Sequence, residues 1–212
     1  ARGLRHRPPT GHYLRSRIVR IMPGYLVAVV VILTLLPDAH ADLTVWLANL
    51  TLTQVYVPLT LTAGLTQMWS LAVEVSFYLV LPLLALLARR LPVDWRVPAI
   101  AALAVASFAW PALPWHLPFG VNQMNWLPAL FSWFAAGMLL AELTVMPVGR
   151  MHQLARRRWV MAAIAGVAFV IAATPLAGNI GLAPGTVGQV VVKTAMGAVV
   201  AGALLAPLVL DA

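Results

Sequence analysis

Six apolar runs of about 20 residues set the first limit on this chain: Ile18 to Leu36, Gln67 to Ala88, Val97 to Trp115, Gln123 to Leu143, Trp159 to Ala177 and Val187 to Leu210. A helix rises about 1.5 Å per residue, so roughly 20 apolar residues cross the ~30 Å hydrocarbon core of a bilayer. Continuous apolarity can also mark buried strands, but runs this long and this rich in Ala and Leu favour helices. The expected fold is all-α, a polytopic transmembrane helix bundle with six spans in a single domain over residues 1–212. With 62% hydrophobic and 9% charged residues, the chain is neither disordered nor an ordinary cytosolic enzyme, since soluble domains are about 25% charged. A net charge of +8 would suggest nucleic acid in a soluble protein. Here the charges lie between apolar runs, so the bilayer is the expected partner and nucleic acid is not.

The connections orient the spans. Arg2, Arg5, Arg7, Arg15, Arg17 and Arg20 stand at the start, in a segment 1–17 and just beyond it. Arg89, Arg90 and Arg96 fall between the second and third runs, and Arg150, Arg156, Arg157 and Arg158 between the fourth and fifth. Six crossings put thirteen of the fourteen basic residues on one side, while connections 37–66, 116–122 and 178–186 carry no Lys or Arg. The positive-inside rule makes the Arg-rich side cytoplasmic, in a cell (inner or plasma) membrane. Trp69, Trp110, Trp115 and Trp126 then mark the outer boundary and Trp95 and Trp159 the inner one, leaving Trp133 inside its span. Pro82, Pro111, Pro128 and Pro207 fall within apolar runs. Segment 37–66 is long for a turn, and its run Leu43 to Tyr56 reads as a short interfacial or re-entrant helix on the outer side. Ala162 with Gly166 and Ala198 with Gly202 offer small faces for close helix packing. The chain opens at Ala1 in polar sequence unlike a signal peptide and closes at Asp211 and Ala212 with no polar tail. It reads as an internal piece of a longer protein, or as a degraded fragment of one.

Ionisable groups inside apolar runs cost at least about 2.5–3.5 kcal/mol each, so those present need a partner or a task. Glu74 is the clearest. Ser70, Glu74 and Tyr78 recur every four residues and share a helical face, which points into the bundle as a substrate cavity or as plain interhelical packing. Arg17 and Arg20, three apart at the mouth of the first span, form a guanidinium fork suited to phosphate; topogenic charge that snorkels to the interface is the plainer reading. Lys193 either snorkels outward or pairs with an acid such as Glu74, and Glu142 meets Arg150 or the interface. His40 and His116 lie in outer connections, within reach of a ligand on the outer side or simply in solvent, whereas His6, His12 and His152 sit among arginines and add only polarity. Asn122 and Asn125 flank a helix start, where they cap it or bind sugar, and Asn49-Leu50-Thr51 matches a glycosylation sequon. With no Cys, a cysteine-ligated zinc is excluded; no metal-ligand cluster, Walker loop or dinucleotide fingerprint is present, and nothing fixes an oligomeric state.

Two segments together resemble the acyltransferase-3 family of integral-membrane acyltransferases. An R-x-x-R-I-x-P-x-Y pattern is matched by Arg17, Arg20, Ile21, Pro23 and Tyr25, and a W-S-L-x-V-E-x-x-F-Y-L-x-x-P pattern by Trp69, Ser70, Leu71, Val73, Glu74, Phe77, Tyr78, Leu79 and Pro82. Val75 and Ser76 depart from the polar pair that often follows the Glu in the family. The resemblance implies a ten-span protein with both termini cytoplasmic, of which these six runs are the third to eighth. It implies acyl-CoA as donor, with Arg17 and Arg20 at its phosphates, and Glu74, Ser70 and Tyr78 at the reacting end. The acyl group, expected to be acetyl, passes to a hydroxyl of a cell-envelope glycan or glycolipid. The family's catalytic His belongs to an L-D-G-x-R-x-x-A type segment that none of the five His here matches. The rival reading is a non-enzymatic transporter or flippase, with Glu74 and Lys193 lining a path; the inverted repeats that would support it are absent from the sequence.

Overall fold

The computed structural model describes residues 10–178 and 185–210, and all regular secondary structure among them is helical. Arg2, Arg5, Arg7, His6 and Asp211 lie outside the described residues. The chain divides into two compact units, residues 1–90 with 116–127 and residues 91–115 with 128–212.

In the first unit, α1 (Thr10–Leu35) starts eight residues before the apolar run, so Arg15 and Arg17 lie inside the helix and not ahead of it. It stops before Pro37, whose ring holds Leu36 in an extended conformation. Tyr25, Val29 and Leu33, four residues apart, form its buried face and pack with Val45, Leu52, Val55, Leu65 and Ala72. The 37–66 connection contains the expected short helix, α2 (Leu43–Leu50), at about 12 Å far too short to cross. The Asp42 carboxylate caps it by accepting from the Val45 N–H at 2.7 Å.

Beyond α2 the chain runs irregularly to α3 (Trp69–Arg90), yet Gln54, Thr60 and Leu65 are almost wholly buried. Irregular backbone is tolerated among apolar helices only when its polar groups find partners in the protein. Here Tyr25 on α1 donates to the Asn49 carbonyl, and the Asn49 amide donates to the Val45 and Thr60 carbonyls, both at 2.9 Å. Gln54 donates to the Met68 carbonyl at 3.3 Å, and the Thr60 hydroxyl to the Gln54 carbonyl at 3.1 Å. Asn49 is therefore a buried joint, inaccessible to a glycosyl donor despite its sequon. Gly64 closes the segment at φ +76°, where an added Cβ would stand 2.8 Å from side-chain carbons of Ile32 and Leu36. Gly64→Val is expected to destabilise the protein by at least about 2 kcal/mol, read as a lower unfolding temperature in detergent. Gly24→Ala, at a helical site with nothing within 4 Å of its new methyl, should leave that temperature unchanged or higher.

In the second unit, α4 (Val93–Ser107), α5 (Leu127–Leu143), α6 (Arg150–Arg156), α7 (Arg158–Ala172) and α8 (Val187–Leu210) follow the remaining runs. Thr66–Arg90, Val93–Ala112, Gln123–Leu143 and Val187–Leu210, with α1, are long and apolar enough to cross a bilayer; α7 is shorter. The expected run to Ala177 breaks because Pro175 forces Thr174 into an extended conformation, leaving α7 at 15 residues, or about 22 Å. Pro128 sits in the first turn of α5, and Pro111 in a one-turn helix at Trp110–Ala112. The prolines inside helices are Pro23, Pro82, Pro98 and Pro207.

Several local expectations change. Ala162 and Gly166 face outward, and α7 packs through Met161, Ala165 and Ala168 instead. Gly202 does face a neighbouring helix: a Cβ added there would stand 4.0 Å from the Ala136 Cβ on α5. Trp133 is inside its span because its indole N–H donates to the Thr194 carbonyl at 2.9 Å, in space left by Gly197, where a Cβ would lie 2.8 Å from that nitrogen. Glu142 pairs with Arg96 at 3.9 Å and not with Arg150. His152, expected only to add polarity, is buried; its Nδ1 accepts from the Gly149 N–H at 3.2 Å and its Nε2 faces the Leu143 carbonyl at 3.1 Å, stapling the turn before α6.

Candidate active site

α1 and α3 lie side by side with opposite directions, so that Thr10 and Tyr13 at the start of α1 flank Pro82 and Arg89 near the end of α3. On α3, Glu74 and Tyr78 are one turn apart, and the Tyr78 hydroxyl donates to Glu74 Oε1. The side of Tyr78 that faces α1 carries a cation. The Arg17 guanidinium carbon stands 5.1 Å from the Tyr78 ring centre and 5.6 Å from that of Tyr13. The two rings meet edge to face at 6.2 Å and 86°. A guanidinium over an aromatic face gains about 0.5–2 kcal/mol, and the planar fork of Arg suits such stacking better than the ammonium of Lys. Cation, phenol and carboxylate thus stand in sequence, and one proton lies between the last two.

Tyr78 is nine residues from the start of α3 and twelve from its end, so Arg17 meets the middle of that helix. Glu74 lies further on, one and a half turns from Trp69 and remote from Arg89 and Arg90. A 70 Å³ cavity opens beside this group, lined by Arg17 and Tyr78 and otherwise by apolar side chains including Ile21, Met22, Val75 and Leu79. Toward the Arg-rich end the same helix pair opens into a groove of about 300 Å³ between Thr10, Tyr13, Pro82, Ala85, Leu86 and Arg89. The two spaces succeed one another in position along α1 and α3 and share no lining residue.

The other residues singled out from sequence are placed differently. Ser70 is exposed and its hydroxyl donates to the Gln67 carbonyl at 3.0 Å, capping its own helix and not joining Glu74. Arg20 is exposed, one turn from Arg17 and off the Tyr78 contact. Tyr25, from the same motif, fixes α2 to α1. Ser76 donates to the Ala72 carbonyl at 2.8 Å and shares a 3.0 Å hydrogen bond with Tyr56. His12, His40, His116 and Lys193 are exposed. Asn122 caps the turn Gln123–Asn125 by accepting from the Met124 N–H at 2.9 Å. Tyr13 escaped the sequence reading, although its i, i+4 spacing to Arg17 was a usable signal; Arg89 was read only as a topogenic charge.

The chain is 31% identical over 132 residues to "Acyltransferase MdmB" of Streptomyces mycarofaciens, an alignment covering 58% of this chain. The chain spans about a third of that relative's length, 34%. No solved structure matches it. The family model described as an acyltransferase domain matches residues 3–210, and so takes in both units, the long apolar helices of a multi-pass membrane protein and every side chain of the α1–α3 site. The chain belongs to the acyltransferase-3 family.

Proposed function

We propose that the whole protein is a membrane O-acyltransferase that takes a short acyl group, acetyl, from acyl-CoA in the cytoplasm and places it on a hydroxyl of a cell-envelope glycan or glycolipid. The reading rests on one observation above the rest: Arg17, which lines a small apolar cavity between α1 and α3, stacks on Tyr78, and the Tyr78 hydroxyl donates to Glu74. Arg17 supplies positive charge along the donor's route, with Arg20 on the adjacent turn. The 70 Å³ cavity is roughly two water volumes, room for a methyl and a carbonyl. Glu74 lies one turn from Tyr78 on the side away from the Arg-rich end, the side on which an extracytoplasmic acceptor would arrive.

In the transfer the acceptor hydroxyl loses its proton to a base, and its oxygen attacks the thioester carbonyl. The carbon–sulfur bond breaks, and the thiol leaves with a proton. The resemblance makes that base a His, in a segment that no His here matches. Glu74 holds or orients the proton that the base carries, and Tyr78 connects Glu74 to the donor side. The same reading takes α7 as a sixth crossing, within a ten-span protein of a plasma membrane whose Arg-rich loops are cytoplasmic.

The test is reconstitution of the complete protein in vesicles with radiolabelled acetyl-CoA on the Arg-rich face. Label should accumulate on a hydroxyl-bearing lipid-linked or free glycan on the far face, with one CoA released per acyl group. Glycan or lipid flux without any acyl donor would instead make the protein a carrier.

A further inference from the structure

The groove at the Arg-rich end of α1 and α3 is absorbed by neither matched motif except through Pro82. Its walls are Leu81, Ala85, Leu86 and Pro82, and its polar side chains are Thr10, Tyr13 and Arg89. Each of the three is a hydrogen-bond donor and Arg89 is a permanent cation. The Tyr13 hydroxyl is buried and finds no acceptor within hydrogen-bonding distance among the described residues. Its charged neighbour, Arg17, has N–H groups only, so the phenol proton is left unmet. A buried donor without an acceptor costs about 1–3 kcal/mol. A ligand rich in acceptor oxygens, entering between a guanidinium and a phenol, removes that cost.

Position adds to chemistry. Arg89 and Tyr13 stand on opposite walls of the groove. Along α3 the helix rises about 21 Å from Arg89 in the groove to Tyr78 and Val75 at the separate cavity, whose other walls are apolar apart from Arg17. A molecule with an anionic oxygen cluster at one end, a slender arm and a small apolar tip matches this order of surfaces. Arg90, the next residue, is equally exposed but does not line the groove.

We infer that this groove is a phosphate-binding site in which Arg89, helped by Tyr13, holds the phosphate-bearing end of the acyl donor. The assignment rests on the acyl-CoA reading above and adds a ligand-binding residue to it. A phospholipid headgroup offers the same phosphate chemistry, and the experiment separates the two sources. The complete protein is placed in nanodiscs, once with only zwitterionic lipid and once with anionic lipid, and CoA binding and acetyl-CoA kinetics are measured. Arg89→Ala should raise both the Kd for CoA and the KM for acetyl-CoA about tenfold, with kcat nearly unchanged, in either lipid. Arg89→Lys should restore most of the affinity, and Arg90→Ala, which removes an equal charge one residue on, should change nothing. Folding is checked by the unfolding temperature, and Arg89→Lys carries the comparison if the alanine variant is unstable. Equal loss in Arg89→Ala and Arg90→Ala would reduce Arg89 to bulk charge and overturn the site. A defect that appears only in anionic lipid, with CoA affinity intact, assigns the groove to a lipid headgroup and overturns the donor assignment. If wild-type protein binds no CoA at all, the acyl-CoA reading itself fails; if wild type binds it and Arg89→Ala binds it equally, only this inference does.

Discussion

Replacing Glu74 by Gln in the complete protein is expected to lower kcat for acyl transfer at least about a hundredfold, with KM for the donor within about twofold. The amide keeps the size of the side chain and still presents an oxygen to the Tyr78 hydroxyl, so α3 and its contacts should be preserved. The carboxylate charge and with it the ability to take up and hold a proton are removed, and positioned proton transfer contributes about 10²–10⁴ in rate. Steady-state transfer from labelled acetyl-CoA, with the unfolding temperature as control, measures both. Full activity in Glu74→Gln would make Glu74 a packing group and remove the proton-handling part of the mechanism. Tyr78→Phe completes the test. It keeps the ring under Arg17 and deletes the hydroxyl, so kcat should fall while donor affinity holds.

The second large effect concerns Arg17. Arg17→Ala should raise the donor KM at least about tenfold and lower kcat/KM at least about a hundredfold. The substitution takes away the positive charge beside the cavity and the stack on two aromatic rings. Arg17→Lys should recover only part of this loss, because an ammonium keeps the charge but not the planar fork between Tyr13 and Tyr78. Arg20→Ala is the informative partner. With Arg20 exposed and away from Tyr78, its loss should cost far less than that of Arg17. Equal losses would mean that the two guanidiniums act as the fork the sequence suggests.

That contrast shows where sequence was sufficient. The long apolar runs, the boundaries of α3 and the Glu74–Tyr78 step follow from composition and the 3.6-residue period, both local properties. The stack of Arg17 on Tyr78 joins residues 61 positions apart and depends on how α1 is staggered against α3, which no periodicity encodes. The burial of Gln54 and Thr60 ran against their polarity because the Gln54 amide finds acceptors on α1 and in the turn before α3, and the Thr60 hydroxyl and carbonyl find partners in Gln54 and in Asn49 of α2. His152 followed the same logic: its neighbours in sequence are charged, but its ring closes a turn onto Leu143. α7 was read too long because apolarity continues through Thr174 while the proline after it ends the helix.

Two fastenings hold α1 to its surroundings, Arg17 on Tyr78 and Tyr25 on the Asn49 carbonyl, the latter linked through Gln54 to Met68 at the entry to α3. They are eight residues apart on one helix and ten on the other. A piston stroke of a single turn would have to break both at once, so the two contacts together oppose sliding of α1 along α3.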